Sequence, residues 1–102
     1  MSIDTVTVHC FLAVAETGSF TRAGERVGRT QSAVSQQMAK LEGLLGKKLV
    51  ERGRVLSLTA AGETFLTYAR QIYALHRAAL GTSLIALAEF AHSFRVQAAA
   101  GE

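Results

Sequence analysis

Apolar residues recur along the first half of the chain at steps of three and four, the spacing that places them on one face of a helix. Phe11, Val14 and Ala15 mark such a face on a segment that starts at Asp4, a suitable N-cap, and runs to Thr17. Gly18 follows where a left-handed C-terminal residue belongs. Ser19 can cap a short second helix from Phe20 to Val27, in which Phe20, Ala23 and Val27 recur, and Gly28 stops it. Thr30 can cap a third helix from Gln31 to about Leu45. Its residues Val34, Met38, Leu41 and Leu45 form a stripe at i, i+4, i+7 and i+11, closed by Gly46.

Between residues 48 and 58 the period changes to that of strands. Leu49-Val50-Glu51 and Arg54-Val55-Leu56-Ser57-Leu58 flank Arg52-Gly53 and predict a hairpin, with a positive φ at Gly53 and with Leu49, Leu56 and Leu58 toward the core. Thr59 then caps the longest helix, with Glu63 in its first turn. One apolar seam of that helix carries Phe65, Ala69, Ile72 and Ala79, broken by His76. A neighbouring seam carries Leu66, Tyr73, Leu80, Leu84 and Leu87. Two adjacent seams are more than one small core requires, so a partner helix is expected, with Phe65, Leu66, Ala69, Ile72, Tyr73, His76 and Leu80 at the interface. Gly81 is a point where the helix kinks or ends. The pattern weakens after it, with helix expected to about Ser93 and a frayed tail at 94–102.

Composition narrows the class. The chain has 102 residues, 49% hydrophobic and 19% charged: one small folded domain, not a disordered chain. No run approaches the roughly 18 apolar residues of a membrane span, and the N-terminus lacks the basic and apolar regions of a secretory signal, so a soluble cytoplasmic protein with no membrane contact is expected. A single cysteine, Cys10, makes neither an internal disulfide nor a zinc cage, and no CxxC or HExxH spacing occurs, so no metal or other cofactor is expected. The net charge of +3 is unevenly placed. Between Phe20 and Ala60, Arg22, Arg26, Arg29, Lys40, Lys47, Lys48, Arg52 and Arg54 face only Glu25, Glu42 and Glu51, while the rest of the chain is net acidic. A basic middle on a nearly neutral protein suits one face that meets a polyanion.

A short helix, a turn containing glycine, then a longer capped helix is the helix-turn-helix order, whose second helix enters the DNA major groove. Here the turn is Gly28-Arg29-Thr30. With Val34 inward, Gln31, Ser32, Ser35 and Gln36 point out, uncharged and rich in hydrogen-bonding atoms. Glutamine can pair bidentately with adenine, and serine can donate or accept at a base edge. A merely solvated helix face more often carries Glu and Lys. Arg22, Arg26, Arg29 and Lys40 flank this surface as phosphate-positioning residues should. Arg26 and Lys40 also read as plain surface charges or as ion pairs with Glu25 or Glu42. Arg52 and Arg54 bracket Gly53, where a wing can place a guanidinium in the minor groove; the plainer reading is charges guarding an exposed hairpin.

The run from Glu16 to Leu66 closely resembles the N-terminal winged helix-turn-helix domain of LysR-type transcriptional regulators, and the likeness extends over about Val6 to Leu80. It rests on Ala-Glu-Thr-Gly-Ser-Phe joining the first two helices, Thr-Gln-Ser-Ala-Val-Ser on the third, Leu-Glu and Leu-Gly near its end, and Leu-Thr-Ala-Ala-Gly opening the long helix. The wording of the third helix is similar to the branch of motility regulators of LrhA type. The resemblance implies a mainly α fold, a three-helix core plus β-hairpin wing at 1–58, then a linker and dimerisation helix at 59–93. It implies a homodimer that presents two winged domains to an interrupted inverted repeat in double-stranded DNA. Carried residue by residue, Gln31, Ser32, Ser35 and Gln36 match base-contacting positions, Thr30 and Lys40 backbone-contacting ones, and Arg52 or Arg54 the wing. Val50 stands where the family usually has phenylalanine, which should leave the wing root less filled. The family's two-lobed effector domain is not expected within this chain, which reads as a fragment, an altered product or a short regulator.

Two other function classes compete. Catalysis finds no support, because His9, His76 and His92 are dispersed with no nucleophile and carboxylate placed to serve them. An interaction module that pairs through the long helix with a full-length regulator and titrates it shares the fold. It differs in that Gln31 and Gln36 would be dispensable.

Overall fold

The computed structural model describes residues 3–81, in the order α1 Thr5–Thr17, α2 Phe20–Val27, α3 Gln31–Leu45, β1 Val50–Arg52, β2 Leu56–Leu58 and α4 Ala60–Gly81. Leu84, Leu87, the continuation of helix to Ser93 and the tail at 94–102 lie outside the described residues.

Each helix starts where a short polar side chain can take up an unpaired amide. Asp4 accepts from the Thr7 N–H, Ser19 from Arg22, Thr30 from Ala33 and Thr59 from Gly62. The first three helices end on left-handed glycines, Gly18, Gly28 and Gly46. Helix α1 is the hub: it packs against α2, α3 and α4. Phe11, Val14, Val34, Met38, Leu41 and Leu49 are buried in one cluster with Ala69, and Phe11 meets Phe65 edge to face at 5.1 Å.

The two strands pair antiparallel with Val50 opposite Leu58 and Arg52 opposite Leu56. That register leaves Gly53, Arg54 and Val55 in a three-residue loop, and Gly53 does not adopt a positive φ. The tight Arg52-Gly53 turn expected from sequence is therefore corrected: the reversal is spread over one more residue, and none of Gly53, Arg54 and Val55 has a positive φ. Leu49 is buried, while Leu56 and Leu58 are half-buried against the core. Val50 is also buried, and beside it opens a cleft of about 240 Å³ lined by Val14, Ala15, Leu56, Leu58 and Leu66.

The start of α4 is locked to the wing base. The Thr59 N–H donates to the Leu49 carbonyl at 2.9 Å and its hydroxyl to the Lys48 carbonyl at 2.6 Å. Gly62 is required here, since a Cβ would stand 2.1 Å from the Leu49 carbonyl oxygen. Helix α4 thus begins inside the shared core.

Candidate nucleic-acid interface

The turn between α2 and α3 is set by Gly24 as well as Gly28. A Cβ on Gly24 would lie 2.6 Å from the Arg29 carbonyl oxygen, and the Arg29 N–H donates to the Gly24 carbonyl at 2.8 Å. Without a side chain at 24, the turn folds tightly back on α2, and α3 emerges with Val34, Met38 and Leu41 inward. Gln31, Ser32 and Gln36 are exposed, and Ser35 is half-buried. These four residues lie along one outer face of the first turns of α3. The Thr30 hydroxyl caps the helix by accepting from Ala33 at 3.1 Å, and its own proton has no acceptor among the described residues.

The cations divide into two groups. Arg22, Arg29 and Arg54 are exposed and make no ion pair among the described residues. Arg26 pairs with Glu16 at 2.6 Å and Lys40 with Asp4 at 3.6 Å, so where the sequence offered an ion pair with Glu25 or Glu42 as one alternative, the partners are corrected. Both pairs are about half exposed, and such pairs exchange partners at little cost. Arg54 sits in the wing loop. Arg52 does not: its guanidinium lies over the Phe20 ring and donates to Ser35 Oγ at 3.2 Å.

Three positioning residues were not singled out from the sequence. Glu42 turns inward, and its Oε2 accepts from the Leu49 N–H at 2.7 Å, joining the end of α3 to the wing. The Leu-Glu motif carried the signal, but a carboxylate on a helix reads as a surface charge until its partner is seen. Gln37 reaches α1, with its amide 2.9 Å from the Thr7 hydroxyl, which also lies 2.8 Å from Asp4 Oδ1. A hydroxyl has one proton; given to the carboxylate, it leaves Thr7 to accept from the amide NH2 of Gln37. Asp4 is held below its usual carboxylate range, first by the Thr7 N–H, then by the Thr7 hydroxyl and by Lys40. Phe20 is the third.

On α4 the expected partner face is corrected in part. Phe65 and Ala69 are buried in the chain's own core, Leu66 and Tyr73 pack half-buried against it, and Tyr73 stacks on His9 at 5.3 Å. His76 is half-buried. The periodicity showed which residues share a face, but α1 already covers the inner part of it. The large apolar residues left outward are Tyr68, Ile72, Leu75 and Leu80, of which Tyr68 and Leu75 were not foreseen. Beside Tyr68, Leu45, Ala61 and Phe65 line a groove of about 590 Å³.

Burial pushes the Cys10 thiol up, which suits an inert core residue. No group of three or more His, Cys, Asp or Glu side chains among the described residues could hold a metal ion, and none of the described helices is long and apolar enough to cross a membrane.

A family model described as bacterial regulatory helix-turn-helix protein, lysR family, matches residues 6–63. The chain belongs to the LysR family. HTH-type transcriptional regulator PecT of Dickeya dadantii (strain 3937) is 49% identical over 73 residues, covering 71% of this chain and 23% of PecT. HTH-type transcriptional regulator DgdR of Burkholderia cepacia is 39% identical over 94 residues, covering 87% of this chain and 32% of DgdR. The chain therefore spans about a quarter to a third of the length of these two LysR-type relatives. Among solved structures, the CbnR DBD–DNA complex matches with a TM-score of 0.71 at 33% identity, over 96% of this chain and 99% of that one. The BenM DBD/benA site 1 DNA complex matches with a TM-score of 0.72 at 32% identity, over 76% and 89%. The mainly helical fold with a hairpin wing and a long final helix is thus that of LysR-family DNA-binding domains. These matches assign the family and no branch within it, the LrhA type included.

Proposed function

We propose that this chain binds double-stranded DNA sequence-specifically as a homodimer and serves transcriptional regulation in the cytoplasm. The observation that carries the reading is the outer face of α3: Gln31, Ser32, Ser35 and Gln36 offer hydrogen bonds without charge, while Arg22 on α2 and Arg29 in the turn before α3 are exposed and make no ion pair among the described residues. That division suits base edges in the major groove read by the helix, with phosphates held by the cations. Thr30 and Lys40 add backbone contacts, Lys40 by leaving Asp4 for a phosphate. Arg54 is the minor-groove residue of the wing. Two structural relatives are complexes with DNA, which supports the reading.

Helix α4 supplies the second subunit's seat. Tyr68, Ile72 and Leu75 stand four and three residues apart on its outer side, a stripe that a second α4 running antiparallel can cover. Residues 1–58 with the first turns of α4 act as the reading head, and the rest of α4 as the linker. Two heads so joined engage two half-sites about one helical turn apart, and the linkage adds avidity. Titration of a full-length regulator would use the same stripe, and no feature of the chain favours it.

The test is selection from a random duplex pool near physiological salt. The proposal expects enrichment of an interrupted inverted repeat, with affinity falling by roughly one power of salt per phosphate contacted. If the folded protein enriches nothing, sequence reading is wrong.

A further inference from the structure

One side chain joins three elements of the candidate interface. Arg52, the last residue of β1, holds its guanidinium carbon 4.6 Å from the centroid of the Phe20 ring, at the start of α2, and points Nη2 at Ser35 Oγ on α3, 3.2 Å away. The ring face attracts the guanidinium and limits where it can move. A guanidinium only donates, so Ser35 accepts and keeps its one proton. The common outlet for a helical hydroxyl is the carbonyl four residues back. Thr17 uses it, bonding to Ala13, and Thr64 bonds to Ala60. Ser35 does not: among the described residues its hydroxyl donates to no protein acceptor.

We propose that Arg52 is a positioning residue that occupies a lone pair of Ser35 and presents its hydroxyl outward as a donor, setting base preference at the pair Ser35 faces. A free serine reads donors and acceptors alike. The clasped one keeps its proton and only one lone pair, so its balance shifts toward acceptor atoms, a purine N7, guanine O6 or thymine O4, and away from the amino groups of adenine and cytosine. This inference rests on the DNA-reading function proposed above. It moves Arg52 from the minor groove to the support of the recognition helix and leaves the groove to Arg54.

Random-duplex selection with the wild-type chain, followed by competition titrations against every base pair of the selected site, provides the test. Arg52→Lys keeps the charge but cannot lie flat on Phe20 and reach Ser35, so it relaxes preference about tenfold at one base pair. Ser35→Ala relaxes the same pair to a similar degree. The double variant is no worse than either, because both remove one interaction. Phe20→Leu gives a smaller relaxation at that same pair, and thermal melts establish that each variant is folded. If Arg52 is instead a phosphate contact or wing packing, Arg52→Lys or Phe20→Leu lowers affinity evenly across the site with preference unchanged; that outcome overturns the proposal. So do additive losses at different base pairs. A wild-type chain that selects no sequence at all defeats the DNA-reading function itself, and the clasp with it.

Discussion

Helices α3 and α4 pack on the same helix, α1, yet turn opposite chemistry outward. On α3 the inward stripe is filled by Val34, Met38 and Leu41, whereas Leu45, expected to continue it, is exposed at the helix end, and the first turns expose Gln31, Ser32 and Gln36. On α4 the inward residues Phe65 and Ala69 are equally well covered, but Tyr68 and Leu75 stand 57% and 72% exposed on the other side. Fully burying a leucine or isoleucine side chain stabilises by about 1.5–3 kcal/mol. An uncovered stripe of that kind is an unmet association energy, whereas amides and hydroxyls gain little from apolar cover and much from a partner with its own donors and acceptors. One core therefore carries two faces that call for different partners, and each should fail separately.

The largest expected effect removes what the faces share. Phe11 is fully buried and touches Phe65, so Phe11→Ala should cost about 3–5 kcal/mol in urea unfolding, a large part of the total stability of a small domain. Loss should appear as one transition across both faces; a change below about 1 kcal/mol would show that the core is not held there. Leu75→Glu comes next and should act on one face alone. The side chain is exposed, so monomer stability should move by no more than about 0.5 kcal/mol. Self-association measured by sedimentation should weaken by about tenfold or more as a charge enters the stripe. Unchanged association would remove α4's outer face from the proposed dimer. Gln36→Ala should do the reverse, leaving association intact while costing about 1 to 3 kcal/mol on the best duplex and altering base preference.

The difference between the faces was half legible in the sequence, and the reason is range. Caps and stripes are local, so Asp4, Ser19, Thr30 and Thr59 and the Val34-Met38-Leu41 row could be read from spacing alone. Contacts between distant residues could not. The Thr7–Gln37 tie spans 30 positions and the Arg52–Ser35 bond 17, and nothing in either neighbourhood marks its partner. The same limit explains Phe65 and Ala69, whose periodicity gave a face but not which helix would cover it. Gly53 misled because a glycine between two short strands fits a two- or a three-residue loop, and only the observed pairing of Arg52 with Leu56 shows which one forms.

The smallest effect separates the faces by pH. Asp4 accepts from the Thr7 N–H and hydroxyl, both at 2.8 Å, and has Lys40 at 3.6 Å, and these hold its pKa below the ordinary 3.8. A carboxyl with a lower pKa in the folded state contributes stability that is complete above its unfolded value and lost as pH falls through the folded one. Melting temperature should therefore be insensitive to Asp4 near neutrality and decline below about pH 4. Asp4→Asn keeps an oxygen for the Thr7 amide but cannot titrate, so the acid decline should be shallower in the variant. The ties from Asp4 lead through Thr7 to Gln37 and directly to Lys40, both on α3. Hydrogen exchange in mild acid should accordingly rise at the α1–α3 contact before it rises along α4. Parallel melting profiles for the two proteins between about pH 3 and 5 would mean that the Asp4 charge does not steady α3.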